Sequence, residues 1–373
     1  MKALMILEDG FTLSGESFTG EIPFAGGEAI FNTSMTGYQE ILSDPSYCGQ
    51  IVCMTYPLIG NYGINPEDME SAGLHLSAFV VKECCKTPSN WRCTETLPDF
   101  LKRFGVPGIE GIDTRALTLH LRQHGAMRAG ISTSLTRDEL LEKVLQLPPM
   151  AGLDLVEKVG AKTTYAWDNA PIPVVLNADG SYSWKTDLPH VIVYDYGIKW
   201  NILRLLTAAG MEVLAVPPLF SIEQVRAVKP DGIFLSNGPG DPSVLNDEIA
   251  IVRGLIDMYP IAGICLGHQL IALATGGRTE KLKFGHHGVN HPVKDLETDA
   301  IVITSQNHGF HVVPGEDMIT THYNLNDRTI EGCRHKTKPV ISVQHHPEAA
   351  AGPRECKYFM EEFRKMMVPQ MGG

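Results

Sequence analysis

Apolar and polar positions change rhythm twice along this chain. Up to about residue 150, short apolar runs at 3–7, 51–54 and 78–81 recur between stretches rich in Gly, Ser and Thr. That pattern predicts a strand-dominated domain with few helices. One helix is expected over 113–125: Asp113 can cap it, Ala116, Leu117, Leu119 and Leu121 supply apolar positions, and Gly125 can end it. A second is expected over 136–145, ahead of the Pro148-Pro149 stop. Residues 151–189 carry scattered charges and the turn signal Asn177-Ala178-Asp179-Gly180, and read as a connector with peripheral strands.

From His190 onward apolar strands alternate with helical runs. Strands are expected at 191–195, 211–216, 232–236 and 261–264. Helices are expected at 198–209, after Ser221 (with Gln224, a capping box) and at about 247–258. This alternation implies right-handed βαβ crossovers and a doubly wound α/β domain with a mostly parallel sheet. The expected division is therefore 1–150, a connector 151–189, and 190–373. Sites in such sheets lie at the carboxyl ends of the strands, which directs attention to the residue after each strand.

Cys265 stands at one of those ends, in Gly263-Ile264-Cys265-Leu266-Gly267. Gly-x-nucleophile-x-Gly lets the chain turn sharply from strand to helix and projects the side chain from a strained bend. The bare pattern arises by chance in roughly one chain of this composition in fourteen, so its weight comes from the strand before it and the helix after it. A buried structural cysteine is the alternative. At a helix N-terminus the free amides and the helix dipole favour thiolate and can hold an oxyanion, with Leu266 N–H as the first donor. Gln269, four residues on, faces the same side of the helix and can reach a substrate.

A thiol nucleophile needs a base, and the base an orienting group. His345-His346-Pro347-Glu348 follows the apolar strand 340–343. Residues i and i+2 of an extended chain point the same way, so His346 and Glu348 can share a face, with Pro347 fixing the backbone between them. Cys265, His346 and Glu348 then form a nucleophile, base and orienting acid.

These motifs resemble the class I (triad) glutamine amidotransferases. Further segments resemble one family within them, the small, glutamine-hydrolysing subunits of carbamoyl phosphate synthetases. In the second half they are Asp195-Tyr196-Gly197-Ile198-Lys199, Ser236 to Pro242 and Gln306-Asn307-His308-Gly309-Phe310. In the first half they are Gly26-Gly27-Glu28, Phe31-Asn32-Thr33, Asp44-Pro45-Ser46 and Gly111-Ile112-Asp113-Thr114-Arg115. The resemblance spans essentially the whole chain. It implies a glutaminase whose ammonia passes to a large subunit that makes carbamoyl phosphate from ATP, bicarbonate and ammonia, for pyrimidine and arginine synthesis. It also implies L-glutamine contacts from Ser46, Gly238, Gly240, Leu266, Gln269, Asn307, Gly309 and Phe310. The Gly238-Pro239-Gly240 loop can bring backbone amides against the substrate carbonyl. His345 departs from the family pattern, which places Tyr, Phe or Gly there.

Composition narrows the classes. A hydrophobic fraction of 43% with 20% charged residues is that of a globular chain. The net charge of −12 opposes nucleic-acid and anionic-membrane surfaces. No apolar stretch approaches the ~18 residues of a membrane helix. The eight cysteines include no Cys-x-x-Cys pair, and they fit a cytoplasmic protein with reduced thiols. His286, His287 and His291 lack a companion ligand pattern, and His120 with His124 lacks the zincin Glu, so no metal is expected. Without a Gly-Lys dipeptide there is no P-loop, so ATP and Mg are expected on the large subunit and no cofactor on this chain.

Overall fold

Seven strands of the N-terminal region close on themselves. The computed structural model describes residues 1–356 and 358–367. In it the barrel runs Lys2–Leu7, Thr12–Ser17, Gly108–Glu110, Ala78–Val80, Gln50–Met54, Ala25–Asn32 and Met127–Ser132, the last pairing back onto the first. Closure leaves no strand edge exposed. Neighbouring residues of each apolar run serve opposite faces. Ile51, Cys53, Ala78 and Val80 enter one core with Met5, Leu7 and Ile131. Val52, Met54, Phe79 and Val81 enter another, beneath Tyr38, Leu97 and Phe100. Strands buried on both faces read as unbroken apolar runs. Asp113 accepts from Ala116 N–H and caps the helix Thr114–His124, which Gly125 ends at φ 106°, as the sequence predicts.

The chain forms two compact units. Met1–Leu153, Lys281–Asn290 and Ala350–Gly352 make the first, and the other described residues the second.

In the second unit five parallel strands, among the described residues, form the centre of the sheet. Their order is Glu212–Val216, His190–Tyr194, Gly232–Leu235, Ile261–Ile264 and Val340–Val343. In chain order that is 2-1-3-4-5, the doubly wound arrangement. Antiparallel strands extend it on both sides, Tyr165–Trp167 at one and Ile330–His335 with Met318–Asn324 at the other. Ile192, Tyr194, Ile233 and Leu235 pack on the helices Ile222–Val228, Asn246–Leu255 and Leu266–Ala274. Val191, Val193, Phe234 and Ile264 pack on the opposite face against Ile202, Leu206 and Phe363. The helix expected from residue 198 begins at Trp200. Asp195 Oδ1 takes the amides of Gly197 and Ile198, and Asn237 Oδ1 takes that of Lys199, so these residues form a braced loop instead. No helix among the described residues is long and apolar enough to cross a membrane.

Candidate active site

Four loops meet the carboxyl ends of the central strands, and each carries residues singled out from the sequence. Cys265 follows Ile264 and adopts φ 53° and ψ −103°, a conformation disfavoured for any residue with a side chain. The bend is held by its own amide, which donates to Val343 O at 2.9 Å, and by Gly267 N–H, which donates to Ser236 O at 3.0 Å. Both flanking glycines are steric necessities. A Cβ on Gly263 would lie 2.7 Å from the Gly267 carbonyl carbon, and one on Gly267 would lie 2.3 Å from Leu235 O. Gly267→Ala is therefore expected to cost about 1–3 kcal/mol of stability by overpacking and to misplace the sulfur. Chemical denaturation and thiol alkylation rates measure the two effects.

Cys265 is 2% exposed, and its thiol points to Asn307 O at 3.6 Å. His346 is equally buried and donates from Nδ1 to Glu348 Oε1 at 2.6 Å. The segment after His346 is a turn, not the extended chain expected, and the turn itself brings the carboxylate under the ring. His346 Nε2 is buried with no partner at ordinary hydrogen-bond distance, and the Cys265 side chain is the group it can reach. Burial alone would discharge the ring. Glu348 first, then the Cys265 sulfur beside the ring, outweigh it and raise His346 to about 10. Burial likewise opposes charge on Glu348, and Lys199 and His346 overcome it, leaving the carboxyl at about 2.

Lys199 was not identified from the sequence as a site residue. Its Nζ lies 3.1 Å from Glu348 Oε1 and donates to Ala349 O, with the side chain almost wholly buried. Asn201 Nδ2 adds a bond to Glu348 O. The available signal was a lysine in the loop that follows a strand, the last residue of the Asp-Tyr-Gly-Ile-Lys motif.

His345 faces away from the base. Its Nδ1 lies 3.9 Å from Glu331 Oε2. Burial first, then the neighbouring rings of His322 and His346, hold it well below the ordinary histidine value, so it stays neutral.

The other residues fall as follows. Leu266 opens the helix after the elbow and is 1% exposed. Gly238 packs so closely that a Cβ would sit 2.6 Å from both Tyr196 O and Leu266 Cδ2, and Gly240 takes φ 92°. Gln269 commits its amide nitrogen to Phe310 O at 3.0 Å and Gln344 Oε1 at 3.1 Å, which leaves its oxygen for a ligand. Asn307, Gly309 and Phe310 lie on the strand Ile301–Val313, and space opens over Gly309, where an added Cβ meets nothing within 4 Å. Ser46 belongs to the first unit, in the turn Pro45–Tyr47, its amide held by Asp44 at 2.9 Å.

Comparison with known proteins agrees in both halves. Residues 5–131 match the carbamoyl-phosphate synthase small chain, CPSase domain, and residues 192–366 match glutamine amidotransferase class-I. The carbamoyl phosphate synthase small chain of Desulfovibrio desulfuricans is 62% identical, with all of both chains covered. That of Nitratidesulfovibrio vulgaris is 59% identical, again over all of both chains. The protein of the same name from Akkermansia muciniphila is 52% identical over 99% of this chain and 98% of its own. The chain belongs to the carbamoyl phosphate synthase small-chain family and carries a class I glutamine amidotransferase domain.

Proposed function

We propose that the chain hydrolyses L-glutamine to glutamate through a thioester on Cys265 and delivers the ammonia to a separate large subunit. The observation that carries this reading is the buried line from Lys199 through Glu348 to His346, ending at a nitrogen with no other partner beside a strained cysteine.

The steps follow from those positions. The Cys265 sulfur, its proton passed to His346, adds to the side-chain amide carbon of glutamine, and the carbonyl oxygen becomes an oxyanion. Leu266 N–H and the amides of the Gly238-Pro239-Gly240 loop are the donors placed to hold it. The His346 imidazolium gives its proton to the amide nitrogen, the C–N bond breaks and ammonia leaves. Water, losing a proton to the now neutral ring, attacks the thioester and releases glutamate and the sulfur. Glu348 keeps the ring in one orientation throughout, and Lys199 keeps Glu348 ionised. With its amide nitrogen occupied, Gln269 offers Oε1 to the substrate's α-ammonium. Asn307, Gly309 and Phe310 line the same end, and Ser46 is assigned a glutamine contact from the N-terminal domain.

ATP, bicarbonate and Mg chemistry belongs to the large subunit in this reading, and the setting is cytoplasmic. The N-terminal domain, residues 1–150, serves packing against the partner or the second domain, 190–373, with 151–189 as connector. The test is a glutaminase assay of the isolated chain, with and without its large subunit. Slow hydrolysis alone, accelerated by the partner, is the expected result. A chain inert in both settings would refute the reading.

A further inference from the structure

Along the strand Ile301–Val313 and behind it runs a series of buried polar groups. Gln306 Nε2 donates to Glu331 Oε2 at 2.9 Å and to Thr304 Oγ1 at 3.0 Å. A carboxylate only accepts, so that atom is the amide nitrogen and the orientation of Gln306 is settled. The atom facing His308 Nε2, at 2.9 Å, is therefore Gln306 Oε1, an acceptor. On the other side of the ring, His308 Nδ1 lies 2.7 Å from the main-chain oxygen of Phe310, which also only accepts. Each ring nitrogen thus faces an acceptor, the arrangement that a ring carrying both protons satisfies.

Glu331 anchors the other end of the series. Its side chain is fully buried, and its second oxygen accepts from Asn324 Nδ2 at 2.9 Å. Neutral His345 contributes no positive charge to it. Gln306 thus links Glu331 to His308 in one continuous series of buried hydrogen bonds, each strengthening the next. The series ends on Phe310 O, the same oxygen that holds Gln269 at 3.0 Å. Asn307 lies between Gln306 and His308 in the chain, so the residues assigned to the amino-acid end of glutamine are braced from one side by this pair.

We propose that Glu331 is a positioning residue for glutamine recognition, acting through Gln306 and a doubly protonated His308 on the Asn307–Phe310 segment and on Gln269. The role rests on the reading of that segment as the glutamine-binding strand. Glu331 touches no substrate; it sets the geometry of the groups that do.

Two measurements on the full chain test this. Nitrogen-15 NMR of the wild-type protein at neutral pH, with the His308 ring identified by loss of its signals in His308→Gln, should show protons on both ring nitrogens. A singly protonated ring would overturn the proposal, and this readout does not depend on activity. Steady-state glutaminase kinetics of Glu331→Gln should show KM for glutamine raised about tenfold, from loss of a charge-assisted bond, with kcat changed by less than about threefold. Adding Gln306→Glu to that variant places an acid directly beside His308 and should bring KM most of the way back, which general loosening of the fold would not do. Unchanged KM in Glu331→Gln, or no recovery in the double variant, would overturn the role. If Glu331→Gln fails to fold, the wild-type ring signals still decide the charge. A wild-type chain without glutaminase activity would sink the functional reading itself, a result separable from these.

Discussion

Cys265→Ser should lower glutamine hydrolysis by at least about 10⁴-fold, with KM little changed and synthesis from free ammonium by the assembled enzyme preserved. The size follows from three features. A hydroxyl at the elbow keeps the bend, because φ 53° is imposed by the backbone bonds to Val343 and Ser236 and not by sulfur. The substitution also removes the sulfur whose presence helps raise the His346 ring. Serine is also the poorer nucleophile, because a hydroxyl gives up its proton far less readily than a thiol. Glutamine should still bind, because the residues assigned to its other end lie on the strand Ile301–Val313 and on the helix Leu266–Ala274. Retained turnover would remove Cys265 from the reaction. Loss of the ammonium-dependent activity as well would point to a misfolded variant.

Lys199→Met carries the second large effect. Glu348 is 1% exposed and keeps its charge largely because Lys199 lies beside it. Breaking one side of a buried pair typically costs about 3–5 kcal/mol, and loss of the orienting acid's charge should lower glutaminase by about 10²-fold or more. The dependence on pH has a definite sign. Glu348 sits at about 2 in the folded chain against 4.5 for an ordinary glutamate, so its contribution is complete above about 4.5 and fades as pH falls toward 2. His346 sits at about 10 against 6.5, so its contribution is complete below about 6.5 and is lost as pH rises through 10. The wild-type chain should then gain least from the pair at both extremes. The stability gap between wild type and Lys199→Met should be widest near neutrality and shrink below about pH 4.5. Urea denaturation across pH measures it. A gap independent of pH would show that the methionine acts by packing alone.

Much of the second unit was legible because its signals are local. Capping residues, the alternation of strands and helices, and the two elbow glycines all act within a few residues of one another. The capping box of Ser221 and Gln224, for example, is present in the structure with both of its hydrogen bonds. In the first unit the apolar run at 51–54, read as part of a strand-dominated domain, is the strand Gln50–Met54. Barrel closure was not legible, since Ala78–Val80 and Gly108–Glu110 are three-residue strands whose partners are distant in sequence. Lys199 escaped for a related reason. A lysine in a loop is ordinarily solvated, and only the fold brings it onto a carboxylate from the far end of the sheet. Glu331 and Gln306 escaped likewise, because a buried Glu on a strand has no periodicity that distinguishes it from a solvated one. His345, the residue that broke the family pattern, is accommodated by turning away from the base and staying neutral.

Acid-quenched mass spectrometry of the chain mixed with glutamine addresses the sulfur directly. A glutamyl adduct on the Cys265 peptide, formed within the turnover time and absent in Cys265→Ser, is the predicted result. Steady hydrolysis with that peptide unmodified at every quench time, or with the adduct on another cysteine, would contradict the account.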